Sequence, residues 1–362
     1  MSATYNAYLM YFLYNTPSQF DQMIMQAYST HRFCVAPMMD WTDRHCRYFL
    51  RLFTKHTLLY TEMVTTGALL YGDAERFLRF NAAEQPVALQ LGGSDPDELA
   101  KAAIIGEQAG YEEINLNSGC PSDRVQRGKI GACLMAEPTL VAECMAAIKE
   151  AVAIPVTIKC RTGIDGIDSL EHLSHFVETV SATGCHCFII HARIAVLAGL
   201  SPKQNREIPP LDYERVFAIK ERFPDLEIVI NGGIKTLGES CHLLENVDGV
   251  MIGREAYQNP NLLARVDQQL FDSDYPVISQ EDVLAQFIDY AKNELGQGTA
   301  LKHMTRHVLG LFQGQPGAKR FRRYLSENAH KEDAGIDILE TAGRLVLNSN
   351  RLMETPIQEV LC

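Results

Sequence analysis

Short apolar, β-branched runs alternate along this chain with longer stretches in which apolar residues recur every three or four positions, the signature of strands separated by amphipathic helices. Eight runs read as strands: Phe33 to Met38, Leu58 to Val64, Val87 to Gly92, Glu113 to Asn117, Pro155 to Arg161, Cys187 to Arg193, Glu227 to Gly232 and Gly249 to Gly253. Between them, DPDELAKAAIIGEQAG, TLVAECMAAIKEAV, SLEHLSHFVETVSATG and DYERVFAIKERF read as helices, several opening on an Asp, Ser or Thr cap and one closing on Gly110. Strands that alternate with helices pair in parallel through crossovers, and closing the sheet removes its edges. The pattern therefore predicts a (β/α)8 TIM barrel, with a doubly wound open sheet as the alternative.

After Phe271 the pattern changes. FDSDYPVIS is a turn-rich break, and EDVLAQFIDYAKNEL, LKHMTRHVLGLF, AKRFRRYLSENAH and IDILETAGRLVLNSN carry helical periodicity with no convincing strand. The expected organisation is a leader over 1–30, a barrel over 31–272, a C-terminal all-α helical domain over 273–350 and a tail over 351–362.

Composition adds bounds. At 362 residues, with 46% hydrophobic and 22% charged positions, the chain suits one large and one small globular unit. No apolar run approaches the ~20 residues of a membrane-spanning helix. The greasy LMYFLYN lacks both a preceding Lys or Arg and a following cleavage site, so a cytoplasmic protein is expected. There are ten cysteines but no CxxC pair, and Cys185 and Cys187 alternate across a strand. Free thiols in a reducing compartment and no metal are expected. A net charge of −12 argues against diffuse nucleic-acid binding, so any RNA contact has to be concentrated. One local reversal of sign exists: Lys319, Arg320, Arg322 and Arg323 surround Phe321 and Tyr324 on one helical stretch.

In a barrel the chemistry gathers at the C-terminal ends of the strands. Here those ends are unusually polar, supplying Gln90, Asn117, Cys120, Lys159, Arg161, His191, Asn231 and Arg254. Gly232 and Gly233 end the seventh strand and Gly253-Arg254 the eighth, where barrels commonly hold a phosphate, although glycines also simply turn a chain. No GxGxxG follows a strand, so a mononucleotide such as FMN fits better than a Rossmann-bound dinucleotide. Lys159 ends an apolar strand, where an inward ammonium is costly without an anion. Stabilising a reduced flavin, forming a Schiff base and pairing with a carboxylate all remain open for it. His191 reads equally well as structural or functional. Cys120, set against Pro121 in a polar loop, reads as a proton donor or nucleophile, or as a small apolar residue; a thiol of ordinary acidity is mostly protonated at neutral pH.

APMMDWTD, ALQLGG, INLNSGCPSDRVQRGKIGACLM, IKCRTGID, FIIHAR, IVINGGI and VMIGREAYQNP together resemble the tRNA-dihydrouridine synthases, while HARIAVLAGLSPKQNREIPPLDY and LFQGQPGAKRFRRYL resemble their subgroup A, which acts on D-loop uridines 20 and 20a. The resemblance implies FMN held by Pro37, Met38, Met39, Gln90, Lys159, His191, Asn231, Gly232, Gly233, Gly253 and Arg254, with Cys120 as proton donor. It implies tRNA contacts from Asn117, Arg161, Lys203, Arg206, Arg320 and Arg323, with NADPH as transient reductant. The barrel would then be the FMN-binding catalytic unit and the helices a tRNA-binding unit, in a monomeric enzyme without metal or membrane. Two rivals stand beside this reading: another FMN barrel acting on a small molecule, and a catalytically silent tRNA-binding protein.

Overall fold

The computed structural model describes residues 29–122, 125–126 and 128–354. Most of the expected leader, 1–28, and the end of the tail, 355–362, lie outside the described residues.

The strands are β1 (Phe33–Val35), β2 (Leu58–Tyr60), β3 (Val64–Thr65), β4 (Val87–Gly92), β5 (Glu113–Ser118), β6 (Val156–Arg161), β7 (Cys187–His191), β8 (Glu227–Asn231) and β9 (Gly249–Ile252). All their pairings are parallel, and the sheet closes where β9 meets β1, with Met251 beside Cys34. The result is a TIM barrel followed by helices, so the open-sheet alternative falls away.

The expected second strand is broken in two. β2 pairs with the first half of β4, Leu59 beside Val87, and β3 with its second half, Val64 beside Leu91. At the break, the N–H of Gln90 donates to Thr61 Oγ1 at 3.0 Å instead of to a strand carbonyl. One barrel position is thus filled by two short strands.

Alternation along the strands sorts side chains into two cores. Cys34, Ala36, Leu58, Tyr60, Ala88, Cys187, Ile189, Val229 and Met251 fill the barrel interior. Val35, Leu59, Leu89, Ile114, Ile158, Phe188 and Ile228 face the helices instead, in a cluster that includes Cys185. The interior also holds Gln90, Glu113, Asn115, Asn117 and Thr157, all buried.

The barrel helices begin where their caps say they should. Asp95 Oδ1 accepts the Glu98 N–H at 2.9 Å ahead of the helix Pro96–Gln108, and Ser169 and Asp212 cap Leu170–Ser181 and Tyr213–Arg222 in the same way. Asp95→Ala should lower stability by about 1 kcal/mol, read as a lower urea midpoint with unchanged m-value.

The C-terminal helices Gln280–Gly296, Leu301–Thr305, Ala318–Asn328 and Ile336–Glu354 lean on the barrel through the outer core. Tyr290 stacks on Tyr48 with ring centres 3.9 Å apart, and Phe287 meets Phe49 edge-on. Arg44 binds the Glu294 carboxylate with both terminal nitrogens, and Asp43 pairs with Arg306 and His307. The last helix runs past 350 into the expected tail.

Candidate active site

The C-terminal ends of the strands surround an open cavity of about 860 Å³, toward the upper end of the roughly 300 to 1,000 Å³ usual for small-molecule sites. Fifteen of the eighteen residues singled out from the sequence line it. Pro37, Met38 and Met39 come from the loop after β1, Gln90 from β4, Asn117 and Cys120 from the end of β5, and Lys159 and Arg161 from β6. His191 ends β7, Asn231, Gly232 and Gly233 end β8, Gly253 and Arg254 follow β9, and Arg206 reaches in from the loop after β7. Lys203, Arg320 and Arg323 lie outside this lining and are exposed.

Lys159 points into the barrel mouth, where Nζ donates to Asn231 Oδ1 at 3.0 Å, and Asn231 Nδ2 in turn donates to Met251 O at 2.7 Å. Among the described residues no carboxylate pairs with this amine. Burial, reinforced by the positive charge of Arg161, brings its pKa down to about 8. Burial likewise pulls Arg161 down to about 10, while its Nε donates to Gly119 O and its Nη1 to Ile194 O and Asn205 O. Burial first, and then the cations Arg161 and Lys159, push His191 well below the ordinary imidazole value, so it is neutral at pH 7. Two cations, Lys159 and Arg161, and a neutral imidazole thus share a polar mouth that favours an anion.

Gly232, at φ +121°, lets the chain pass against the His191 ring, because a Cβ there would sit 2.8 Å from Cδ2. Gly131 does the same for the Cys120 loop: at φ +78°, its added Cβ would come within 2.6 Å of Cys120 O. That oxygen accepts the Ala132 N–H at 3.0 Å, and Asn117 Oδ1 accepts the N–H groups of Gly119 and Cys120 at 3.1 and 3.0 Å. Cys120 is therefore held by its backbone, and among the described residues no hydrogen bond occupies its thiol.

The sequence reading passed over several lining residues. Trp41, the chain's one tryptophan, stacks on Tyr257 with ring centres 4.4 Å apart at the rim facing the C-terminal helices. Met63 enters from the break between β2 and β3. Glu207 binds Arg254 Nη1 at 2.7 Å, so this guanidinium already has an exposed, exchangeable carboxylate partner. Trp41 and Glu207 stand inside the quoted APMMDWTD and HARIAVLAGLSPKQNREIPPLDY motifs and were legible there, whereas Met63 depends on a strand break that no local pattern describes.

Away from this site, His31, Cys187 and Glu227 bring ligand-capable atoms within 4.8 Å of one another at the opposite end of the barrel. Both His31 nitrogens already face carboxylates there, Glu113 at 2.6 Å and Glu227 at 3.0 Å.

A closed parallel barrel with amine, imidazole, amide, guanidinium and thiol groups converging on its C-terminal mouth defines a TIM-barrel enzyme whose site lies where that fold places chemistry. The family described as dihydrouridine synthase (Dus) matches over residues 34–347, and the chain belongs to that family. It is thus an oxidoreductase, not a silent RNA-binding protein. It is 59% identical over 320 residues to the tRNA-dihydrouridine(20/20a) synthase of Yersinia pestis, covering 88% of this chain and 92% of that one. Enzymes of the same name from Pseudomonas putida and Escherichia coli K12 are each 60% identical, over 88% and 87% of this chain and 94% and 91% of their own. Among the described residues, no helix is long and apolar enough to cross a membrane.

Proposed function

We propose that this protein reduces uridines 20 and 20a in the D-loop of tRNA to 5,6-dihydrouridine, as a cytoplasmic monomer using FMN and NADPH. The observation that carries the reading is the convergence of Cys120 and the carboxylate-free Lys159 on one cavity, in a chain about 60% identical to enzymes named for that reaction.

The residues present fit a flavin mononucleotide. Gly232, Gly233, Gly253 and Arg254 form a glycine-rich, cationic corner suited to a phosphate, with the Glu207 carboxylate displaceable from Arg254. Lys159, half-buried with no carboxylate partner among the described residues, suits the electron-rich edge of the flavin ring, and Gln90, His191 and Asn231 add hydrogen-bonding groups beside it. Pro37, Met38 and Met39 supply apolar contact. When bound and reduced by NADPH, FMN supplies hydride to carbon 6 of uracil.

The remaining work falls to the protein. A stacked base cannot reach this mouth, so the uridine has to be extruded from its helix. Asn117 keeps a second amide N–H for the base beyond the one given to Gln90. Cys120 Sγ–H gives its proton to carbon 5, completing the addition of two hydrogens across the double bond, and the thiolate then takes a proton from water. Negative charge developing at the uracil carbonyl is met by the fixed positive groups of Lys159 and Arg161.

The barrel over 31–272 is the cofactor-holding unit in this reading and the helices over 273–350 the tRNA-binding one. Arg320 and Arg323 stand exposed on the helix Ala318–Asn328, Arg323 sharing its charge with Glu327 at 2.7 Å. Arg206 lines the cavity, and Lys203 sits exposed just before it. Changing both Arg320 and Arg323 to Ala should weaken tRNA binding and flatten its dependence on log salt by roughly 1 to 2. Affinity titrations at several salt concentrations check this; an unchanged slope removes these two residues from the interface.

The test of the function itself is direct. Purified protein with FMN and NADPH should add the mass of two hydrogens to each of the two D-loop uridines of an unmodified transcript, located by nuclease mapping and mass spectrometry. Reduction of free uracil derivatives with no change in the tRNA would sink the proposal and revive the small-molecule dehydrogenase.

A further inference from the structure

The barrel interior contains a polar feature that the proposed chemistry does not use. Glu113 opens β5 at the end of the barrel remote from the cavity and is buried. Its Oε1 accepts two hydroxyls, Tyr60 OH at 2.9 Å and Thr157 Oγ1 at 2.6 Å, and its Oε2 lies 2.6 Å from His31 Nε2.

From Thr157 an unbroken chain of hydrogen bonds climbs to the active site. Thr157 Oγ1 accepts from Asn115 Nδ2 at 2.8 Å, Asn115 Oδ1 from Gln90 Nε2 at 2.8 Å, and Gln90 Oε1 from Asn117 Nδ2 at 2.8 Å. Asn117 Oδ1 then takes the backbone N–H groups of Gly119 and Cys120. Thr157 and Asn115 are 2% and 0% exposed and lie outside the cavity lining, so there water does not replace a missing partner.

This chain has one polarity, fixed at both ends. A backbone N–H can only donate, and Glu113 Oε1 acts as an acceptor for two hydroxyls. Turning over any amide between them would set N–H against N–H or oxygen against oxygen at a buried contact. In the inverted arrangement Asn117 would present its amino group to the Cys120 N–H, and the loop would lose the oxygen that holds it.

We infer that Glu113 is a positioning residue for Cys120, acting through Thr157, Asn115, Gln90 and Asn117 to fix the orientation of the Cys120 loop. The inference rests on the role proposed above for the Cys120 thiol. Neither Glu113 nor Thr157 lines the cavity.

Thr157→Val tests this by keeping the shape and removing the hydroxyl that links Glu113 to the amides, and Thr157→Ser restores the hydroxyl. Two readouts are compared: the rate at which iodoacetamide modifies Cys120 in cofactor-free protein, followed on its own peptide by mass spectrometry, and kcat and KM for tRNA in the holoenzyme. Val is expected to change the modification rate several-fold and to lower kcat on the order of 10-fold with KM for tRNA unchanged, as misplacement of a reacting group does. Ser is expected to restore both. A Val variant that matches the wild type in both readouts, or a Ser variant that falls as far as Val, overturns the inference. If Thr157→Val does not fold, Thr157→Ala carries the same comparison: a several-fold changed rate supports the chain, and a wild-type rate overturns it. Should the wild type leave tRNA unreduced, the proposed function fails, while the Cys120 modification rates still decide the positioning.

Discussion

Cys120→Ala is expected to abolish most uridine reduction while leaving the protein folded and its cofactor chemistry intact. The backbone of residue 120 is fixed by bonds the substitution does not touch: its N–H to Asn117 Oδ1, its carbonyl from the Ala132 N–H, and the close approach of Gly131. The side chain is only half-buried, so loss of one sulfur removes little core. A positioned proton donor contributes about 10² to 10⁴ in rate, and loss of kcat on tRNA should fall in that range. Oxidation of NADPH with an artificial electron acceptor should be unchanged, because that half of the cycle needs no proton at uracil. Steady-state kinetics of the two half-reactions separate the outcomes. A variant with wild-type activity on tRNA would remove Cys120 as the acid; loss of both activities would point to a collapsed site.

Much of this architecture was legible because strand alternation survives in the sequence, but the direction of the alternation was less obvious. EINLNS in β5 and VTIKCR in β6 read like half-exposed strands, one face polar and one apolar. In the barrel the helices cover the apolar face and the polar face turns inward, so Glu113, Asn115, Asn117, Thr157 and Lys159 form a hydrophilic spine through the centre. Residues that end strands, such as Lys159 and His191, were found because chain position alone sends them to the mouth. The break at Thr61 was not found, since it depends on a side-chain oxygen taking the Gln90 N–H from another strand. The same limit applies to LKHMTRHVLGLF, expected as one helix. It forms the short helix Leu301–Thr305 and a tight turn at Val308–Gly310, where the backbone presses on the barrel so closely that a Cβ at Gly310 would lie 2.5 Å from Gln258 O. Contacts between segments far apart in sequence set these details, and local pattern carries no record of them.

Lys159→Met should make the cofactor-free protein more stable near neutral pH, the opposite of what removing an interior side chain usually does. The amine keeps its charge at pH 7 only against burial and the nearby Arg161, which together bring its pKa from 10.5 to about 8. The linkage follows from proton counting. Below pH 8 both the folded and the unfolded chain carry the charge, and the folded state bears the full penalty. Between pH 8 and 10.5 the folded chain releases the proton while the unfolded chain keeps it, so stability rises with pH and the penalty fades. A shift of this size corresponds to at most roughly 3 kcal/mol, less to the extent that water in the cavity reaches Nζ. Urea unfolding of cofactor-free protein at pH 7 and pH 10 should therefore show the Met variant ahead at neutral pH and the gap closing in alkali. The same variant should bind FMN more weakly, because the amine that destabilises the empty barrel is the one an anionic ring would neutralise. Equal stability of the two proteins at both pH values would mean that the amine is held at no cost, and that it is not poised for an anion.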